Sequence, residues 1–301
     1  MGNHGSIRAI FYAFLANLGI GLTKLGAAIY TGSGSMLAEA IHSFADTMNQ
    51  ILLFIGLKRA QRPPDEKHPL GYGKTIYFWS FLVAILLFSM GGIFSIYEGI
   101  HKLESEETLQ SGWIALVVLG ISIILETLSL LGALREIRIL KKDMPLMQWL
   151  RESTKAELIV VFWEDVGALV GLVIAFIFVF LSYYLHNPFF DALGSICIGV
   201  LLIIISIMIS IRIKSMIIGE STNKAIQNEI LQIIHTIPEI ESIFRLIAVQ
   251  LGPEVMLATK IKLKPNLSIN QAIEIINQLE KQIKQQIPEI KWIFIEPDIQ
   301  D

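Results

Sequence analysis

Six apolar stretches, each about as long as a bilayer core is thick, constrain this chain more than any other feature. A hydrocarbon layer of about 30 Å takes roughly 20 apolar residues in a helix. Ile7–Tyr30, Met36–Leu57, Thr75–Ile100, Trp113–Leu134, Leu158–Tyr184 and Asp191–Ile213 meet that length. They occupy the chain up to about residue 214 of 301, and Lys214–Asp301 has the polarity of a small soluble domain. Charged residues make up 17% of the whole, against about 25% in soluble domains. The single cysteine, Cys197, excludes an intrachain disulfide and any zinc site built on cysteines. A net charge of −3 offers no basic surface for nucleic acid. The expected fold is an all-α six-helix transmembrane bundle over residues 1–214 followed by a small α+β domain over residues 215–301.

Orientation follows from basic residues in the short connections. The second-to-third connection holds Lys58, Arg59, Arg62, Lys67 and Lys74, and the fourth-to-fifth holds Arg135, Arg138, Lys141, Lys142, Arg151 and Lys155. The opposite turns, Thr31–Ser35, the acidic His101–Gly112 and Leu185–Phe190, contribute only Lys102. Both termini are therefore expected on the cytoplasmic side. No signal-peptide pattern precedes the first span, which is expected to be retained. A short N-terminus without an amphipathic transit segment favours a bacterial inner membrane, with an organelle membrane as the alternative.

The tail reads as αββαβ. Asn223–Ile234 is helical, and Ile243–Leu251 and Val255–Leu263 alternate as strands around Gly252-Pro253-Glu254. Val255, Leu257, Thr259, Ile261 and Leu263 share one face. Ser268-Ile269-Asn270-Gln271 forms a capping box. It opens a helix whose Ile269, Ala272, Ile273, Ile276, Leu279 and Ile283 fall on one stripe. Ile290–Ile295 is a final strand. Two helices against a three-stranded sheet predict a ferredoxin-like domain, steadier when paired with a copy of itself.

Ionisable residues inside the spans are costly and mark function. His42 and Asp46 in the second span are spaced i, i+4, which stacks imidazole and carboxylate on one helix face. Both are ligands for a borderline divalent metal, although a His–Asp hydrogen bond joining two helices would look the same. The fifth span carries Glu164 and Asp165, with Glu157 nearer its start. If the second and fifth spans pack together, His42, Asp46 and Asp165 form a three-ligand cage, with the fourth place left to water or Glu164. Asn17, Lys24 and Glu126 read as structural pairing residues, and Asp191 as the cap of the sixth helix. Asp65 and His68 lie together in a turn-rich loop, and His235 stands alone in the tail.

The six spans, the His42–Asp46 pair, the loop Pro64-Asp65-x-x-His68-Pro69-x-Gly71-x-Gly73-Lys74 and the αββαβ tail together resemble the cation diffusion facilitators. The resemblance covers essentially the whole chain. Glu126, Ala133-Leu134-Arg135-Glu136, Arg151-Glu152-Ser153, Glu164-Asp165 and Ile218-Gly219-Glu220 are similar to the branch containing the mitochondrial zinc exporters. That resemblance implies a homodimeric exporter of divalent cations, mostly zinc, working by proton antiport. It implies no enzymatic activity and no resident cofactor, with the metal as cargo. It also implies two ligands from the second span and two from the fifth. His42, Asp46 and Asp165 match, but the remaining position, four residues before Asp165, is Val161. Mn²⁺ or Fe²⁺ is therefore the alternative cargo, and a membrane metal sensor or scaffold the more distant alternative. Tyr72 stands where the family loop often has a second histidine, and Lys260 and Ile295 where family tails often carry ligands. Lys74 and Glu220 match a salt bridge of the family between loop and sixth span.

Overall fold

The computed structural model describes residues 3–104, 112–141 and 143–300, with side chains described outside residues 3–13, 15 and 16. Residues 105–111 of the acidic turn, and Lys142 of the basic one, lie outside the described residues. Six long helical runs are present: α1 (Asn3–Thr31), α2 (Gly34–Ala60), a continuous run over Thr75–Glu104, α5 (Gly112–Lys141), α7 (Ala156–Leu185) and α8 (Phe189–Ile218). Four of these are both long and apolar enough to cross a membrane: Thr75–Glu104, α5, α7 and α8. α2 has the length for a span, but its run of polar side chains, Glu39, His42, Asp46, Lys58 and Arg59, lowers its hydropathy.

The run over Thr75–Glu104 was expected to be a plain helix. Instead α3 (Thr75–Leu86) and α4 (Phe94–Glu104) are joined by a π-helical segment, Leu87–Ile93. Such segments form where one residue too many is accommodated in a helix. The segment lies where this run crosses α8. A Cβ on Gly92 would come within 3.3 Å of the Gly199 carbonyl, and one on Gly199 within 2.7 Å of the Gly92 carbonyl. The two backbones meet directly, as small residues allow in apolar surroundings. A further short helix, α6 (Leu146–Glu152), lies in the basic connection and was not foreseen.

Asp191 does not cap its own helix. It sits inside the first turn of α8, 1% exposed, and its carboxylate caps α2 instead. One oxygen accepts from the Ser33 hydroxyl at 2.7 Å and the Ser35 N–H at 3.2 Å, and the other from the Gly34 N–H at 2.6 Å. The unpaired N–H groups of a helix start attract an anion wherever the chain supplies one. In this fold the anion comes from 156 residues further along.

The chain divides into two compact units. The first comprises Met1–Gly56, Trp79–Trp149 and Ala156–Ile213, and the second Leu57–Phe78, Leu150–Lys155 and Lys214–Asp301. In the second unit α9 (Lys224–His235) is capped by the Asn223 side chain, which accepts the Ile226 N–H at 2.8 Å. β1 (Ile240–Leu251) pairs antiparallel with β2 (Glu254–Leu263), and β3 (Ile290–Pro297) adds to β2 in parallel, giving the order β1-β2-β3. β1 starts three residues earlier than its alternation suggested. The expected capping box opens α10 (Ile269–Gln286).

The core is formed by Ile230, Ile233 and Ile234 of α9, Ala248, Val255, Leu257 and Ile290 of the sheet, and Leu279 and Ile283 of α10. The expected stripe on α10 is only half used. Ile269 is 80% and Ile273 50% exposed, while Ile275 packs on the core with Leu279 and Ile283. The i, i+4, i+8 series from Ile275 therefore faces the core, with Leu279 and Ile283 buried and Ile275 partly so.

The loop of residues 57–78 belongs to this second unit. Its Asp65 is fully engaged: one oxygen accepts the N–H groups of Lys67 at 3.0 Å and His68 at 2.7 Å, the other the Tyr72 hydroxyl at 2.6 Å. The Tyr72 hydrogen bond, helped by the His68 N–H, holds the Asp65 carboxyl below its ordinary range and pushes the Tyr72 phenol up. The loop then meets the β1–β2 turn, where the Gly252 N–H donates to the buried Tyr77 hydroxyl at 3.2 Å. Gly252 has φ +75°, which glycine adopts at no steric cost, and a Cβ there would overlap the Gly73 backbone.

Two outcomes follow. Asp191→Ala strands three buried donors and should cost about 3 kcal/mol or more, read as a lowered melting temperature of the detergent-solubilised protein, with Asp191→Asn losing less. Because the Asp65 pKa is depressed in the fold, its contribution is present above the unfolded value of about 4 and is lost as pH falls through the folded one. In an NMR titration, Tyr72→Phe should move the Asp65 midpoint back up toward about 3.9, and an unmoved midpoint would refute the assignment.

Candidate metal site

The polar residues of α2 recur at helical spacing, so Glu39, His42, Ser43, Asp46, Asn49 and Gln50 fall on one side of it. Glu39, His42 and Asn49 are completely buried. Three other helices surround that stripe. Asn17 and Ile20 of α1, Ser43, Asp46 and Gln50 of α2, Glu126 and Ser129 of α5, and Val161, Glu164 and Asp165 of α7 enclose a cavity of about 40 Å³. That is room for roughly two or three water-sized bodies.

Within it Asp46 and Asp165 face a common space from two helices. Asp165 accepts a hydrogen bond from Ser129 at 3.3 Å. Glu164, 7% exposed, also lines the space, but its Oε1 is held by the Asn49 amide at 2.5 Å. His42 stands one turn before Asp46 and is not on the cavity wall. Its Nδ1 lies 3.6 Å from Asp46 Oδ1, beyond a hydrogen bond. Both imidazole nitrogens and Asp46 Oδ1 are buried without a hydrogen-bond partner. Buried polar atoms left unpaired are rare and call for an explanation, a ligand being one. Val161 lines the wall and contributes no donor atom. Among the described residues no three side chains of His, Cys, Asp or Glu stand together closely enough to hold an ion.

Sequence reasoning missed several members. Glu126 and Asn17 were read as pairing residues, yet both line the cavity. Asn49, which orients Glu164, and Gln50 went unremarked, although each continues the i, i+3, i+4 series of His42 and Asp46. Lys24 is indeed paired, and its partner Glu39 was overlooked. In the second unit Lys260 is paired with Asp298 at 2.7 Å, and the Lys260 ammonium draws the Asp298 carboxyl below its usual range. Near the expected loop-to-helix salt bridge, Lys74 Nζ would lie 3.6 Å from a Cβ on Gly219, and Glu220 accepts from the Ser215 hydroxyl at 3.1 Å.

Two family models match this chain: the cation efflux transmembrane domain over residues 10–217, and the cytoplasmic domain of cation efflux proteins over residues 223–298. Among curated relatives, the mitochondrial proton-coupled zinc antiporter SLC30A9 of Xenopus laevis is 32% identical over 86% of this chain and 46% of its own length. The human protein of that name is 31% identical over 89% of this chain and 47% of its own. This chain thus spans about half the length of those relatives. The magnetosome protein MamM of Magnetospirillum gryphiswaldense is 21% identical over 90% of this chain and 81% of its own. A solved MamM CTD in its nickel form is 20% identical, with a TM-score of 0.25, and covers 26% of this chain and 100% of its own. These relatives bear the names of membrane antiporters and magnetosome proteins, not of enzymes. With both its transmembrane and its cytoplasmic part matched, the chain belongs to the cation efflux family.

Proposed function

We propose that this protein exports a divalent cation, zinc first, from the cytoplasm in exchange for protons, with the cavity between α1, α2, α5 and α7 as its metal path. The observation that carries the reading is the convergence of Asp46 and Asp165 on one small buried space, beside an imidazole and a carboxylate oxygen that lack partners. His42, Asp46 and Asp165 are the proposed ligands, with Glu164 available once it leaves Asn49. Because these side chains stand too far apart to hold an ion together, loading requires α2 and α7 to draw closer or their side chains to turn inward.

The coupling follows from ligand chemistry. Imidazole binds metal only when neutral and carboxylates only when ionised, so proton and metal compete for the same atoms. Metal is taken up on the side of higher pH and released on the side of lower pH. The names of the SLC30A9 relatives, proton-coupled zinc antiporters, support both the cargo and the coupling. The match of residues 223–298 to the cytoplasmic domain supports pairing of two copies through the tail. A bacterial inner membrane, with both termini cytoplasmic, is the proposed setting.

A second reading, Mn²⁺ or Fe²⁺ as cargo, is favoured by the cavity wall itself. It carries four carboxylates, those of Asp46, Glu126, Glu164 and Asp165, and Val161 in place of a ligand. Oxygen-rich sites accept harder ions more readily than sites with several imidazoles do.

Flux into proteoliposomes under an imposed pH gradient separates these readings. Gradient-driven Zn²⁺ uptake should be abolished in Asp46→Ala while that variant stays folded, and full proton-coupled uptake by the variant would sink the site assignment. Val161→His adds an imidazole to the wall and should raise Zn²⁺ over Mn²⁺ preference by about tenfold, measured as the ratio of initial rates.

A further inference from the structure

Behind the cavity lies a charge pair for which the transport reading has no use. Lys24 of α1 is completely buried, with its Nζ 2.8 Å from the Ser43 hydroxyl and 3.3 Å from Glu39 Oε2. Ser43 is itself part of the cavity wall. The ammonium therefore stands one hydroxyl group away from the space where a divalent cation would sit. Among the described residues no Lys or Arg side chain lines the cavity directly. Glu39 is also fully buried, and its second oxygen, which has no hydrogen-bond partner, lies 2.7 Å from where a Cβ on Gly171 of α7 would be.

Helix packing alone is a poor account of this pair. Two ions removed from water are costly even when matched, and apolar side chains of similar volume commonly join elements as well. What apolar side chains would not supply is a field. We propose that Lys24 and Glu39 set the electrostatic field of the metal path: Lys24 is a fixed cation that repels the divalent ion and keeps its binding weak enough for release, and Glu39 offsets that repulsion. The inference rests on the cavity being the metal path.

The two partners then act in opposite directions on metal, whereas two halves of a merely structural bridge act in the same direction. The test is equilibrium Zn²⁺ binding to the purified full chain, with Zn²⁺ flux measured beside it. Lys24→Gln should bind Zn²⁺ at least about tenfold tighter and turn over more slowly, while Glu39→Gln should bind at least about tenfold weaker. Lys24→Arg, and the double variant Lys24→Gln/Glu39→Gln, should stay within about threefold of the parent. The double variant leaves no unpaired ion, so it serves where a single variant does not fold. Loss of affinity in both single variants, or a shift of more than about tenfold in the double one, overturns the proposal. Asp46→Ala run in parallel separates the two levels. If it binds Zn²⁺ as the parent does, the metal path itself has been misplaced. If it loses Zn²⁺ while Lys24→Gln and Glu39→Gln shift together, only the role of the charge pair fails.

Discussion

Glu39, His42, Ser43, Asp46, Asn49 and Gln50 run along one side of α2, and in an apolar medium each must be shielded or satisfied. Leaving polar atoms against hydrocarbon is so costly that neighbouring helices are placed to prevent it. α1 supplies Lys24 to Glu39 and Ser43, α7 supplies Glu164 to Asn49, and α5 brings Ser129 to Asp165 on the far wall. At one end of this stripe, Asp191 of α8 satisfies the first N–H groups of α2. The shielding is incomplete: Glu39 Oε1, Asn49 Oδ1 and Gln50 Oε1 lack partners, as do both His42 ring nitrogens and Asp46 Oδ1, and the cavity opens beside Ser43, Asp46 and Gln50.

Much of this was legible in the chain itself. Long apolar runs announce helices whatever surrounds them, because hydrocarbon leaves the backbone few other ways to satisfy itself. The tail was legible for a different reason: period-two alternation in β2 and a capping box at Ser268 are local signals that tertiary structure did not override. The polar residues of α2 could be seen as exceptions in an apolar run, and His42 and Asp46 stood out at once. Their partners did not. That Asn49 holds Glu164, or that Asp191 reaches α2 rather than its own helix, depends on which helices are neighbours, and periodicity within a single helix carries no information about that. The π-helical segment was hidden likewise, since the contacts of Gly91 and Gly92 with Leu202, Gly199 and Ile203 of α8 exist only in the fold.

Tyr72 illustrates how one side chain can saturate a carboxylate. Its phenol donates to the Asp65 oxygen that the backbone leaves free. The other Asp65 oxygen is already spent on two backbone N–H groups. Lys260 plays a comparable part in the sheet, where a tethered ammonium neutralises Asp298. In both places a covalently attached donor occupies a carboxylate.

The meeting of Gly73 with Gly252 bears on how stiffly the second unit is built. Contacts made through side chains have slack, because a rotamer change can absorb an ångström or more before the backbone responds. Here two main chains lie against each other with no side chain between them. The join is therefore a hard stop rather than a cushion: a displacement of the β1–β2 turn toward the loop meets the Gly73 main chain directly.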